Sequence, residues 1–190
     1  MSRRSMNRLP LRQRLERNVA GGRNALLVVI VLTAINIIMA FSGGDSYFLF
    51  SAAIPYYLVV NALYQCGMMP NDWYEAPKSE YIFADPSSLV APTVFAVLIL
   101  ALFLVLFLLF KRNLGYMIAS AALVLIDTVA LVALFGVSDG WSDIVFHILI
   151  LAYLVIAVVA SVRLRTAPDD DAPAPQQPDG GSDDSSDFNY

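Results

Sequence analysis

The sequence is poor in the residues that most often carry chemistry. Its 190 residues include one cysteine and one histidine, and only 15% are charged. The single cysteine, Cys66, excludes an internal disulfide and a multi-cysteine metal site. HExxH motifs, glycine-rich phosphate loops and paired histidines are missing too. The sequence therefore predicts no catalytic site, no cofactor site and no metal site, and it does not favour an enzyme.

Charge is missing above all from four long apolar runs. They cover residues 25–43, 89–110, 114–137 and 144–162, in a chain that is 58% hydrophobic, against about 45–50% in soluble domains. Each run is close to the ~20 residues that cross the ~30 Å hydrocarbon core of a bilayer. Irregular backbone cannot face lipid and barrel strands are shorter, so these runs must be helices. The predicted fold is an all-α, polytopic membrane helix bundle.

A fifth apolar stretch, "YFLFSAAIPYYLVVNALYQ" at residues 47–65, contains six aromatic residues and Pro55. Lysine and arginine in short loops mark the cytoplasmic side of a membrane. If this stretch crosses, the basic residues at 111–112 and 163–165 fall outside; if it does not, every basic cluster lies on one face. The sequence therefore predicts four transmembrane helices plus an external interfacial or re-entrant helical segment, with five transmembrane helices as the alternative.

The two ends of the chain carry opposite charge. Residues 1–23 contain seven arginines and one acid, which predicts a basic cytoplasmic leader, either solvated or lying on anionic lipid. Residues 166–190 contain seven aspartates and no base in a Pro-, Gly- and Ser-rich context, which predicts a disordered acidic cytoplasmic tail. Residues 24–165 form the predicted helix bundle, with an external loop at 67–88.

Asp127 is the most informative polar residue within the apolar runs. It lies near the centre of the third run, where a charge costs about 2.5–3.5 kcal/mol even on a lenient insertion scale. This carboxyl group must therefore face protein or water. Asn36, Thr128 and Tyr153 are its candidate hydrogen-bond partners.

The only histidine, His147, follows Asp143 by one helical turn, so the two side chains are expected to hydrogen-bond. In a helical hairpin folded about residues 139 and 140, Asp127 lies level with Tyr153. His147 then lies on the order of 7 Å higher along its helix. This geometry argues against a direct Asp127–His147 pair. It allows a relay through Tyr153 or water.

Three patches, "YFLFSAAIPYYL", "LVLIDTVALVAL" and "DIVFHILILAYLVIAVVA", resemble a family of small polytopic integral membrane proteins from Gram-positive bacteria. The resemblance covers roughly residues 24–165 and rests on the polar residues within the patches: Ser51, Pro55, Asp127, Asp143 and His147. The family brings no activity to transfer. It implies a bacterial cell membrane, and with the charge pattern it places both termini in the cytoplasm.

Two functions fit these features. The favoured one is a non-catalytic subunit or accessory factor of a membrane complex, in which the buried polar residues join helices. The alternative is a small transporter component that couples to a proton or cation through Asp127 and His147. The expected partners are the lipid bilayer and another membrane protein or a second copy, and no nucleic acid.

Overall fold

The structure is a computed structural model that describes residues 10–44, 47–139 and 141–167. It contains five α-helices: α1 (Leu11–Phe41), α2 (Ala53–Gln65), α3 (Val90–Leu109), α4 (Leu114–Asp139) and α5 (Trp141–Leu164). Short 3₁₀ turns at 71–73, 78–80 and 86–89 join α2 to α3, and the described residues form no strand. The prediction of an all-α fold is confirmed.

Four of the helices, all except α2, are long and apolar enough to cross a membrane. Large apolar side chains on these helices stay exposed, as on α3, where only Ala96, Phe103 and Leu106 are buried. Lipid can cover such surfaces, whereas water would disfavour them. The chain is a multi-pass membrane protein with four candidate spans.

The helices define two ends of the bundle. We call the end where α1 and α4 begin and α3 and α5 finish the leader end, and the opposite end, which carries the α2–α3 connection, the loop end. α1 packs most extensively against α5, and α5 also packs against α4. α2 packs against α3, α1 and α4, so it is enclosed by three of the spans.

α2 is too short to span. Its 13 residues cover about 20 Å at 1.5 Å per residue. It begins beside Thr33, eight residues or about 12 Å before the end of α1, and finishes at the loop end, where the Gln65 carbonyl accepts a hydrogen bond from Ala84 N. Residues 47–65 therefore enter and leave at the same end. The predicted four-span fold is confirmed, with the re-entrant form of the extra segment rather than the interfacial one.

Pro55 and several aromatic residues of this segment have defined structural places. Pro55 does not interrupt a helix, because it is the third residue of α2 and lies in its first turn. Three of the rings pack within the protein: Tyr47 on Tyr56 at 4.8 Å, and Tyr57 edge-on against Phe135 at 5.6 Å between ring centroids.

The predicted boundary at residue 24 between the basic leader and the bundle falls inside a helix. α1 begins at Leu11 and continues without a break into the first span. Leu15, Val19 and Gly22 are buried on one face of α1 and extend its contact with the core. Residues 1–9, and the predicted acidic tail from residue 168 onward, lie outside the described residues.

Glycines shape two places in the bundle. At Gly22, a Cβ would lie 2.5 Å from Ala157 Cβ and 3.1 Å from the Tyr153 carbonyl oxygen, so α1 and α5 approach closely there. At Gly136, φ is 72° and ψ is 177°, which interrupts α4 three residues before its end. Residues with a side chain rarely adopt this conformation.

Candidate functional site

The re-entrant segment is fastened to α1 through polar side chains. Asn36 makes two hydrogen bonds to one residue: its Nδ2 donates to the Phe48 carbonyl at 2.8 Å, and its Oδ1 accepts from Phe48 N at 2.8 Å. Thr33 Oγ1 accepts from Ala52 N at 2.7 Å and donates to the Val29 carbonyl at 2.6 Å. Both side chains are fully buried, so they satisfy backbone groups that water cannot reach.

Between these two anchors the backbone is strained. Phe50 has a φ of 69°, which is uncommon for a residue with a side chain and costs on the order of 1–3 kcal/mol. Its ring packs on Phe146 of α5 at 4.0 Å between centroids. The bonds from Asn36 and Thr33 on either side, together with this ring contact, hold the turn that directs the chain into α2.

The Asp127 side chain binds the first two residues of α2. Its Oδ2 accepts from Ala53 N at 2.8 Å and its Oδ1 accepts from Ile54 N at 2.9 Å. The residue before the helix, Ala52, has no side chain that can cap it, and the first turn of α2 contains no acid. A carboxyl group from α4 therefore serves as the cap of a helix that lies about 74 residues earlier in the chain.

This arrangement satisfies the whole N-terminus of α2. The N–H groups of the cap residue and of the first three helical residues have no partner within a helix. Here Thr33 accepts a hydrogen bond from Ala52 N, and Asp127 accepts from Ala53 N and Ile54 N. Pro55 has no N–H group. No unpaired N–H remains, which is the condition for ending a helix inside a bilayer.

His147 completes the site. Its Nε2 lies 3.1 Å from Asp127 Oδ2, and both side chains are about 3% exposed. Its Nδ1 lies 2.8 Å from the Asp143 carbonyl oxygen. A carbonyl only accepts, so Nδ1 carries a hydrogen and one further proton lies between Nε2 and Oδ2. The pair therefore has no net charge, whether that proton sits on the imidazole or on the carboxyl.

The other end of α2 is closed as well. Gly67, with a φ of 71°, ends the helix, and Met68 N donates to the Leu63 carbonyl in a Schellman motif. The Lys78 ammonium donates to the carbonyls of Gly67 at 2.9 Å and Met69 at 2.6 Å. The Lys78 ammonium, at the negative end of the helix dipole, has the stabilising sign, and the accepting oxygens of Asp127 lie at the positive end.

The connection from Gly67 to Asp85 folds onto α2. Tyr74 is buried, stacks on Tyr64 at 4.8 Å between centroids and donates its hydroxyl to the Tyr64 carbonyl at 3.0 Å. Phe83 packs on Tyr74 and also covers Gly67, where a Cβ would lie 2.8 Å from its ring. The connection after α2 therefore packs on that helix.

Tyr47 and Asp143 lie near the pair at the start of α5. The Tyr47 hydroxyl accepts from Ser51 Oγ at 3.1 Å. Burial raises the pKa of the Tyr47 phenol above its ordinary value, and the nearby Asp143 carboxylate adds to this shift. Tyr47 is therefore protonated at physiological pH and can donate a hydrogen bond.

Several predictions about the partners of Asp127 are wrong. Asn36 binds Phe48, and Thr128 donates to the Val124 carbonyl of its own helix. Tyr153 is 47% exposed and lies near Gly21 of α1, so it does not connect Asp127 to His147. The bond predicted between the Asp143 and His147 side chains is instead a bond from the imidazole to the Asp143 carbonyl.

The direct pair was not expected because the prediction assumed a straight α4 up to residue 139. The break at Gly136 ends the regular helix about three residues earlier. The chain can therefore turn towards α5 sooner. Asp127 then lies closer to this turn, at the level of His147. A glycine near the end of an apolar run was the only indication in the sequence.

The role of Asp127 as a cap also went unpredicted. The sequence "SAAIPYY" contains a proline suited to a first helical turn but no acid there and no polar residue directly before the helix. A helix that starts in a buried position without its own cap needs one from elsewhere. Asp127 is the only acid within the four apolar runs, and Asp143 directly precedes the fourth run.

The described residues bring together no three His, Cys, Asp or Glu side chains in a group that could hold a metal ion. The chain matches no protein-family model, no curated protein and no solved structure. The resemblance to a Gram-positive membrane family therefore stays a prediction.

Proposed function

We propose that this protein is a non-catalytic subunit or accessory factor of a membrane complex, located in a bacterial cytoplasmic membrane with both termini in the cytoplasm. One observation supports this proposal most strongly. The buried Asp127 carboxyl group uses both oxygens to hold α2, and its remaining contact goes to His147. The buried acid thus has a structural role, because both of its oxygens already take part in hydrogen bonds within this chain.

The orientation rests on charge. The basic residues of α1, of the α3–α4 turn and of the end of α5 all lie at the leader end, whereas the described loop-end connection has Lys78 as its one base. By the positive-inside tendency, the leader end faces the cytoplasm and the re-entrant segment opens to the outside.

A partner would contact the lipid-exposed faces of the spans or the surface at the loop end. Trp73 and Ile82 are exposed there, and Ile82 has no burial at all, with a relative exposure of 103%. Aromatic and branched apolar residues on an otherwise folded surface are typical of protein contacts.

Purification of the tagged, full-length protein from its native membrane in a mild detergent tests this proposal. We expect one fixed partner, or a second copy, to elute with it in constant ratio, and we expect Trp73→Ser with Ile82→Ser to weaken that association. Substitution at the exposed Ser79 serves as the control. A protein that elutes as a single monomeric chain without any partner would overturn the proposal.

A second candidate is a proton-coupled transporter component, favoured by the single proton held between Asp127 and His147. Proteoliposomes with an imposed pH gradient separate the two functions. The structural role predicts a proton leak equal to that of empty liposomes, for both the wild type and Asp127→Asn. A leak that appears with the wild type and disappears with Asp127→Asn would favour the transporter instead.

A further inference from the structure

A cavity of about 460 Å³ opens at the leader end, between α1, the start of α4 and the end of α5. This volume falls within the range of about 300–1,000 Å³ that is usual for small-molecule sites. It lies at the other end of the bundle from the loop and plays no part in holding α2.

Three cations line this cavity: Lys111, Arg112 and Arg165. In the part of the chain that the structure describes, none of the three makes an ion pair. The single acid in the lining, Glu16, already faces Arg12 at 3.6 Å. With three cations and one acid in its lining, the cavity carries a net positive charge.

The other residues that line the cavity are either polar or apolar. Ser161 and Asn113 contribute polar groups to the lining. Leu114, Met117 and Leu164 contribute an apolar wall. A ligand with an anionic head and an apolar body matches both parts, whereas a free inorganic anion would use only the first.

We propose that this cavity binds a phosphate group, and that the phosphate belongs to the headgroup of an anionic phospholipid. Arg and Lys are the side chains that bind phosphate through charge-assisted hydrogen bonds. Basic pockets between membrane helices are known to bind such headgroups. The cavity lies at the end of three spans, at the depth where lipid headgroups are found, and its apolar wall would contact the glycerol and the first part of the acyl chains.

The acidic segment that follows α5 is a competing occupant. Asp169, Asp170 and Asp171 come only a few residues after Arg165 in the sequence. Carboxylates could bind the same cations, but they would leave the apolar wall without a contact. We therefore favour the lipid, and the experiment below distinguishes the two.

The test uses full-length protein in mixed micelles containing phosphatidylglycerol and phosphatidylcholine, with bound lipid measured by native mass spectrometry. We expect preferential retention of one phosphatidylglycerol molecule. The double variant Lys111→Gln with Arg165→Gln should bind it about 25-fold more weakly, because each basic group near anionic lipid contributes roughly five-fold. The matched control, Arg14→Gln with Arg163→Gln, removes the same charge from the same end but not from the cavity, so it should change binding less than about three-fold.

Four results would overturn the proposal. Equal binding of both lipids, or equal loss in the two double variants, would show that no specific site exists. Full competition by millimolar inorganic phosphate would make a free anion the ligand. Binding that appears only after Asp169→Asn, Asp170→Asn and Asp171→Asn are introduced together would show that the acidic segment fills the cavity. Unchanged thermal unfolding of the lipid-free variants confirms that each is folded.

Discussion

Asp127→Ala is expected to release the re-entrant helix while leaving the four spans in place. The substitution removes three hydrogen bonds, to Ala53 N, Ile54 N and His147. Hydrogen bonds within membranes average about 0.6 kcal/mol each, which sets a lower bound of about 2 kcal/mol. Two peptide N–H groups left unpaired in a dry interior cost about 1–3 kcal/mol each, so the expected loss is roughly 2–6 kcal/mol.

Two measurements check this prediction. The midpoint of thermal unfolding in detergent should fall, and amide hydrogen exchange should rise in α2 more than in α3 or α5. Thr128→Val is the matched control, because Thr128 neighbours Asp127 on α4 but bonds only to the Val124 carbonyl of its own helix. If the two variants lose the same stability, or if exchange in α2 does not change, the proposed role of Asp127 as a cap is wrong.

Gly22→Ala is expected to push α1 away from α5. The added methyl would lie 2.5 Å from Ala157 Cβ, and neither group can rotate aside. Overpacking of this kind costs about 1–3 kcal/mol, which is more than the helix propensity gained by replacing glycine with alanine. We expect a lower midpoint of thermal unfolding.

The chain supplies both a control and a rescue for this prediction. At the adjacent Gly21, the nearest atom to an added Cβ is 3.9 Å away, so Gly21→Ala should be neutral or slightly stabilising. Combining Gly22→Ala with Ala157→Gly should restore stability, because it moves the methyl from one helix to the other. Failure of this double variant to recover would show that the loss has another cause.

Much of the architecture could be predicted from the sequence because a bilayer restricts the choices. Apolar runs such as 89–110 must be helices of about the length that crosses a bilayer. The basic residues at 111–112 favour an even number of spans. The re-entrant alternative for residues 47–65 followed from the same charge argument. Helix boundaries were less predictable: α1 extends to Leu11 because Leu15 and Val19 continue its buried face.

The site was only partly predictable. Asn36, Asp127 and His147 stood out because polar residues are rare in apolar runs, and all three are buried in the structure. Their partners could not be derived, because the Asp127–His147 pair depends on a backbone break at Gly136, and the Asn36 bonds go to main-chain atoms of Phe48. Such contacts depend on tertiary geometry, which hydrophobic periodicity does not describe.

The central claim is that residues 47–65 enter and leave the membrane at the same face, so that the chain crosses four times. Three variants in a Cys66→Ser background test it: Ser42→Cys at the end of α1, Asp72→Cys in the loop after α2, and Thr166→Cys after α5. All three positions are exposed, so each can be labelled with a membrane-impermeant maleimide in intact cells.

We predict that the first two variants are labelled from outside and that Thr166→Cys is labelled only after the membrane is permeabilised. Labelling of Ser42→Cys and Asp72→Cys from opposite sides would mean that residues 47–65 cross the bilayer, and it would contradict the four-span fold.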